Sequence, residues 1–363
     1  MNKLYIAIAG VLIAIILSVS FYGVFTLANV ITPGSNPQTP SPTPYDGESI
    51  TVTDDTGKNF TIPLPVTRIV SLDDGHTELL CALGAQDLIV GRDTFSTFPP
   101  SIMNVPNVGA YNGISMEAIV QLDPDVVLAI TTGMSPGMLN FRYASGIPVL
   151  FQDTANFTKI ESTIRFLGKL VNNETGAEAI IDWVNQYMEL VDSRISGLSE
   201  SQRPTFYLGG TQRGIGESAF RYTGPDSEIG LLGIKAGGRN IVDNSTVSGI
   251  INPEFVIEKK PEYIFSLTYR SQGFPTSSAY YKDVLSDINS RTGFDTVPAV
   301  KDKNVYCYDY TLVQGLRYPI GLLYFAKSLH PDLFSDIDPT DLLAEMTEKY
   351  FGVDSNQWVF MYP

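Results

Sequence analysis

Short apolar runs recur along the chain with helical stretches between them. They are RIVSL at 68–72, DLIVG at 87–91, DVVLAI at 125–130 and PVLFQ at 148–152, then TFYLGG at 205–210, YIFSLT at 263–268 and VYCYDY at 305–310. Near-continuous apolar strands bounded by Gly and Pro are those of a parallel sheet covered on both faces, so the pattern predicts an α/β fold. One stretch has helical periodicity instead. In ETGAEAIIDWVNQYMELVDSRISGL, Ala177, Ile180, Ile181, Val184, Tyr187, Met188, Val191, Ile195 and Leu198 fall three and four apart. This predicts one helix of about 25 residues, roughly 37 Å long, enough to bridge two bodies. SESQRP then ends the helix before a new strand begins.

The apolar pattern also repeats. SMEAIVQLDPDVVLA at 115–129 matches NPEFVIEKKPEYIFS at 252–266 without a gap, so Glu117 falls on Glu254, Pro124 on Pro261 and Asp125 on Glu262. Each copy reads as a cap (Ser115, Asn252), a two-turn helix opening with a glutamate, then Pro-acid and a buried strand. Two related lobes are therefore expected, 49–172 and 203–337, with a connecting helix over 173–202 and a C-terminal extension over 338–363.

Ahead of the lobes, LYIAIAGVLIAIILSVSFYGVFTLANV runs from Leu4 to Val30 without a charged residue. At about 1.5 Å per residue it is long enough for a roughly 30 Å hydrocarbon core. Lys3 precedes it and no other basic residue follows until Lys58, which places Met1 inside and the rest outside. The expectation is a membrane anchor over 1–30; a cleaved signal segment is the alternative. Residues 31–48, ITPGSNPQTPSPTPYDGE, have the Pro, Ser and Thr content of a stalk.

Composition removes several classes of function. With 24 Lys and Arg against 39 Asp and Glu, the net charge is −15, which argues against a nucleic acid partner. Two histidines and two distant cysteines are too few for a zinc centre, so no resident metal or cofactor is expected. Cys81 and Cys307 read as buried small hydrophobes rather than as a disulfide framework. Walker-type loops and a G-x-S-x-G elbow are absent, and GGTQRGIG at 209–216 lacks the register of a dinucleotide loop. Four N-x-[ST] sequons, at Asn59, Asn156, Asn173 and Asn244, suit an exported chain. His330 reads as the end of a helix before a proline.

Open α/β sheets bind ligands outside the carboxyl ends of their strands. Asp73, Asp74 and His76 follow RIVSL; Arg92 and Asp93 follow DLIVG; Tyr111 lies in GAYNG. In the second lobe Arg213, Arg221 and Tyr222 follow TFYLGG, Tyr269 and Arg270 follow YIFSLT, and Tyr310 and Arg317 follow VYCYDY. Singly, each also reads as a solvated loop residue. Together they would line a cleft suited to a bulky, flat or anionic ligand. In SLDDGHTELLCALGA, Thr77 is expected to cap a helix whose apolar positions include Cys81. That leaves Asp73, Asp74, Gly75 and His76 as a polar lip. An enzyme using His76 with Asp73 or Asp74 as an acid–base pair is the rival reading, and a structural surface protein is a third. Glu117 and Glu254 suit the helix dipole as they stand, or else present a two-point contact to a partner with two positive sites.

The sequence resembles the siderophore, haem and cobalamin type of solute-binding protein that serves ABC importers. The resemblance covers about 50 to 330 and rests on ITVTDDTGKNFTIPLPVTRIVSLDDGHTELLCALGAQDLIVGRDT and PNVGAYNGISMEAIVQLDPDVVLA. It implies two Rossmann-like lobes with parallel sheets, joined by one long rigid helix and holding a ligand between them. It also implies that Glu117 and Glu254 meet arginines of an ABC permease dimer, which works with its ATPase subunits. Tyr111 and Tyr310 would contact the ligand, and Arg317, in GLRYPIG, matches a G-P-R-like motif with Leu for Pro. The DDGH turn departs from the Pro or Ser common in that family, and its acidity disfavours a bare anion. An iron-siderophore complex or a corrinoid is the expected cargo, with haem as the alternative.

Overall fold

The computed structural model describes residues 47–363, apart from 132–134, 155, 211–219, 226, 243–247, 269–277, 357, 360 and 363. The expected anchor over 1–30, almost all of the stalk, Arg213, Tyr269, Arg270 and Asn244 lie outside the described residues. Among those described, no helix is long and apolar enough to cross a membrane.

An antiparallel hairpin of β1 (Ser49–Thr53) and β2 (Asn59–Pro63) comes first. β3 (Ile69–Ser71), β4 (Ile89–Arg92), β5 (Val126–Ala129) and β6 (Val149–Phe151) then form a four-stranded sheet in the order β4-β3-β5-β6, parallel throughout. Every residue of β3, β5 and β6 is buried, as expected of strands covered on both faces. The helices of this half are α1 (Asp74–Ala82), α2 (Met116–Gln121), α3 (Pro136–Ala144) and α4 (Ile160–Leu170).

The long helix, α5 (Glu174–Ile195), has 22 residues against the 25 expected. Seven of the nine predicted apolar positions are buried, and Met188 and Leu198 are half-buried against the same core. α5 packs on α4 and on a later helix, α10 (Tyr318–Leu329). Its start is tied down by Asn173, whose Oδ1 accepts from the Gly176 amide at 2.9 Å while Nδ2 donates to Leu83 O at 2.9 Å.

The second sheet contains β7 (Thr205–Gly210), β8 (Phe220–Thr223), β9 (Arg239–Asn240), β10 (Ser248–Ile251), β11 (Tyr263–Thr268), β12 (Val305–Asp309) and β13 (Met361–Tyr362). Its order is β10-β8-β7-β11-β12-β13, with β9 paired to β7. The centre, β7-β11-β12, is parallel as predicted. The flanks are not: β8 and β10 add antiparallel on one side and the chain's end adds β13 antiparallel on the other. α6 (Glu228–Lys235), α7 (Pro253–Lys259), α8 (Ala279–Asn289), α9 (Pro298–Lys301), α10 and α11 (Pro339–Phe351) complete this part. α11 packs against α1, and Phe98 meets Phe351 and Trp358 edge-on at 4.7 and 5.7 Å, so the C-terminal stretch reaches the first half of the molecule.

The duplicated segments adopt one structure. Ser115 and Asn252 cap α2 and α7 with their side chains, and Glu117 and Glu254 occupy the second helical position of each. Asp123 and Lys260, aligned in sequence, both take positive φ, 45° and 50°. Asp125 accepts from the Thr67 amide at 2.7 Å, and Glu262 does the same for Thr205 at 2.8 Å. The Pro-acid pair thus pins the start of one neighbouring strand in each copy.

Cys81 and Cys307 are both buried and form no disulfide. His330 does end α10, where its Nε2 lies 3.1 Å from Gly237 O.

A buried ion pair between Arg142 of α3 and Asp54 fastens the turn of the β1-β2 hairpin to that helix. The guanidinium also donates to Thr56 Oγ1 at 3.0 Å and lies over the rings of Phe60 and Phe151. Removing one partner of such a pair leaves the other charged and dry. Arg142→Ala should therefore lower the unfolding free energy by about 3–5 kcal/mol, measured by urea denaturation.

Candidate ligand site

The parallel order of β3, β4 and β5 brings their carboxyl ends to one edge of the first sheet, and the DDGH turn lies on that edge. The helix starts earlier than the sequence implied: Asp73, not Thr77, is the cap of α1, accepting from the His76 amide at 3.0 Å. The reason is that Thr77 is already engaged, its hydroxyl bridging Ser71 Oγ, Ser96 Oγ and Asp73 O at 2.8, 2.8 and 3.0 Å.

Asp73 is only 3% exposed, and its Oδ2 also accepts from Thr154 Oγ1 at 2.7 Å. Gly75 is required there, since a Cβ on it would lie 2.1 Å from that same hydroxyl. His76 is fully buried, with neither ring nitrogen hydrogen-bonded and Nδ1 3.4 Å from Asp73 Oδ2. The expected open lip is therefore reduced to Asp74, which alone of the three is half-buried. Asp93, at the end of β4, accepts from the Ser96 amide at 2.9 Å. The Phe95 ring beside it stacks on Tyr111 with centroids 6.0 Å apart, and Tyr111 is 54% exposed.

From the second half, the turn at Gly315–Arg317 reaches this edge. Arg317 is 2% exposed and its Nε lies 2.7 Å from Glu78 Oε2, while Glu78 Oε1 accepts from the Leu316 amide at 3.1 Å. The structure thus brings Asp73, Asp74, His76, Asp93 and Arg317 together, with Tyr111 alongside. Tyr310 is half-buried at the end of β12. Tyr222 is buried in a separate core, packed where Gly249 passes. The Arg221 backbone pairs with Ile250 in the β8-β10 ladder. Glu117 and Glu254 are exposed on α2 and α7.

Sequence reasoning passed over Glu78, which looked like an ordinary first-turn glutamate, and Asp309, which accepts from the Thr311 amide at 3.0 Å. The available signal was an acidic residue in an otherwise apolar helical face, LLCAL. Such a residue must find a buried partner.

A model described as a periplasmic binding protein matches residues 69–311. The chain belongs to the periplasmic binding protein family. The binding protein is 25% identical, over 292 residues, to the uncharacterized ABC transporter substrate-binding lipoprotein YvrC of Bacillus subtilis, covering 79% of this chain and 87% of that one. A vitamin B12-binding protein of Yersinia pestis is 29% identical over 207 residues, 56% of this chain and 71% of its own length. Among solved structures, the TroA-like periplasmic binding protein FepB from Veillonella parvula has the same fold. It aligns with a TM-score of 0.70 at 23% identity, over 86% of this binding protein and 99% of its own chain. These relatives are substrate-binding proteins and not enzymes, which sets aside the acid–base reading of His76.

Burial dominates the electrostatics of the site. It pushes the Asp73 and Asp93 carboxyls up to about 6 and Glu78 to about 7, against the pull of their hydrogen bonds and, for Glu78, of Arg317. Asp74 is also raised, by desolvation and by Asp73 beside it, and His76 is pushed down to about 4 by the same loss of water. A carboxyl with a raised folded-state pKa stabilises the fold when protonated, and that stability is lost as pH rises through the folded value. His76 acts oppositely, its contribution being lost as pH falls toward 4. Three raised carboxyls, Asp73, Asp93 and Glu78, outweigh one depressed imidazole. The melting temperature should therefore fall as pH rises from about 5 to about 7.5, a trend that calorimetry across that window would detect and a flat profile would refute.

Proposed function

We propose that this chain is the extracytoplasmic receptor of an ABC importer. In this reading it takes up an iron-siderophore complex or a corrinoid between two α/β lobes, 49–172 and 203–337, joined by the helix within 173–202. The family match and the two curated relatives support the transport role. The observation that carries the proposal furthest is the structural duplication. Two glutamates stand at the same position of equivalent short helices, both exposed, one in each half. One such glutamate is explained by the helix dipole. A matched pair fits a partner that offers two cationic sites, such as the two subunits of a permease. The apolar segment 1–30 would hold the receptor on the outer face of the cytoplasmic membrane.

Asp74, Tyr111 and Tyr310 retain accessible surface at or near the strand ends, so they are the direct ligand contacts in this reading. Asp73, His76 and Arg317 stand behind them. Arg213, Arg221, Tyr269 and Arg270 complete the proposed set from the sequence of the second lobe, whereas Tyr222, buried in its own core, is not a direct contact.

A screen of the full chain with ferric chelates, cobalamin and haem should give a rise in melting temperature with one class, as expected when a ligand binds only the native state. No shift with any of them would remove the cargo assignment. Reversing both Glu117→Lys and Glu254→Lys should abolish uptake into cells while ligand affinity stays within about twofold of the parent. A parallel loss of affinity would place the two glutamates in the ligand cleft.

A further inference from the structure

The chain passes from the first sheet to the second through α5, yet residues beyond α11 bridge the two halves again. Gly352, at φ of 63°, ends α11, and the Val353 amide donates to Thr347 O at 3.2 Å, the six-residue bond of a glycine-terminated helix. Ser355 Oγ then lies 2.8 Å from Thr347 Oγ1, and the Trp358 amide donates to Ser355 O at 2.9 Å. These bonds fix the path of the segment up to Trp358. Just before it, Tyr350 at the end of α11 meets Trp183 of α5 edge-on at 6.1 Å.

Phe98, which follows β4 in the first half, is 3% exposed. Trp358 meets its ring edge-on at 5.7 Å, Phe351 does so at 4.7 Å, and the Arg317 guanidinium lies over it at 5.7 Å. All three neighbours come from the second half, so one ring of the first half is seated in a socket built by the other. Rings set edge to face and a guanidinium over a ring are both favoured by the aromatic quadrupole, which makes the seat directional. One residue past Trp358 the segment is tied to the second sheet. Val359 O accepts from the hydroxyl of Tyr281, which is fully buried in that sheet's core, at 2.8 Å. Met361 and Tyr362 then pair with Tyr308 and Cys307 as β13. The segment is thus bonded through its backbone to the second sheet, and toward the first half it presents an aromatic side chain. That side-chain contact can break while the strand stays paired.

We propose that residues 352–362 are a strap, fixed to the second sheet and caught on the first half at Phe98, that limits how far the two halves part. The halves separate further only when Phe98 leaves its socket. Release of that catch would then gate the exchange of anything held between the halves, and this last step alone rests on the receptor reading.

Distances between the halves test the strap without cargo, so the result does not depend on the receptor reading. In the full chain, spin labels at Glu117→Cys and Glu254→Cys report the separation, since both positions are exposed, one in each half, whereas Cys81 and Cys307 are buried. Pulsed electron paramagnetic resonance should give one narrow distance distribution in this background. Trp358→Ala, at a half-buried position, should at least about double its width. Phe98→Ala should broaden it equally from the other side of the contact. The double variant should go no further than either single one, because both remove the same interaction. Trp358→Phe, which keeps an aromatic edge, should return most of the narrow distribution. An unchanged width in Trp358→Ala overturns the strap, and so does a double variant whose broadening is the sum of the two. If Phe98→Ala does not fold, Trp358→Ala against Trp358→Phe decides, equal widths overturning the proposal.

Discussion

Ionised carboxyls removed from water need protons, partners or hydrogen-bond donors, and this chain places four of them where its two sheets' connections converge. Much of the local structure answers that demand. Asp73 takes the first amides of α1 and the Thr154 hydroxyl, and Asp93 takes Ser96. Glu78 takes a backbone amide and a guanidinium from the other half of the molecule. Gly75 and Gly315 are the two places where a side chain would hold these groups apart. The pair between Glu78 and Arg317 therefore does more than fill a site in the core: it ties together residues 239 positions apart in the sequence.

The duplicated unit shows the same economy of design in a different setting. A capped helix of two turns, a positive-φ exit, and a Pro-acid pair bonded to the start of an adjacent strand appear once in each half. The copies have diverged on their outer faces. Val120 is 53% exposed beside Glu117, whereas Ile257, which aligns with it, lies where Gly293 passes and would meet a Cβ there at 2.8 Å. Ile257 is nonetheless only half-buried, so the two helices differ in how much apolar surface they offer beside the glutamate.

The architecture was legible where a residue's surroundings are set locally. The parallel strands, the long helix and the duplicated segments were readable because burial on both faces, a 3.6-residue period and capping chemistry all leave marks in a few consecutive residues. The antiparallel flanks were not, since β8, β10 and β13 pair through partners distant in sequence, and MY at 361–362 is too short to carry a pattern. The site was legible in the same partial way. Asp73, Asp74, His76 and Arg317 were placed at strand ends correctly, but whether a strand-end residue is a lip or a sealed group depends on what packs over it. For His76 that cover is not in its own segment, and for Glu78 the partner comes well after α5 in the sequence.

The cap of α5 bears on chemistry outside the binding site. Asn173 heads one of the four sequons, and a glycan would have to be attached through its Nδ2. In the folded chain that nitrogen donates to Leu83 O, and the rest of the side chain holds the first turn of the helix that links the halves. The acceptor atom of this sequon is already committed, so a sugar could be added there only before the helix has docked, and at the expense of its anchorage. Asn59, exposed on the β1-β2 hairpin, carries no such conflict.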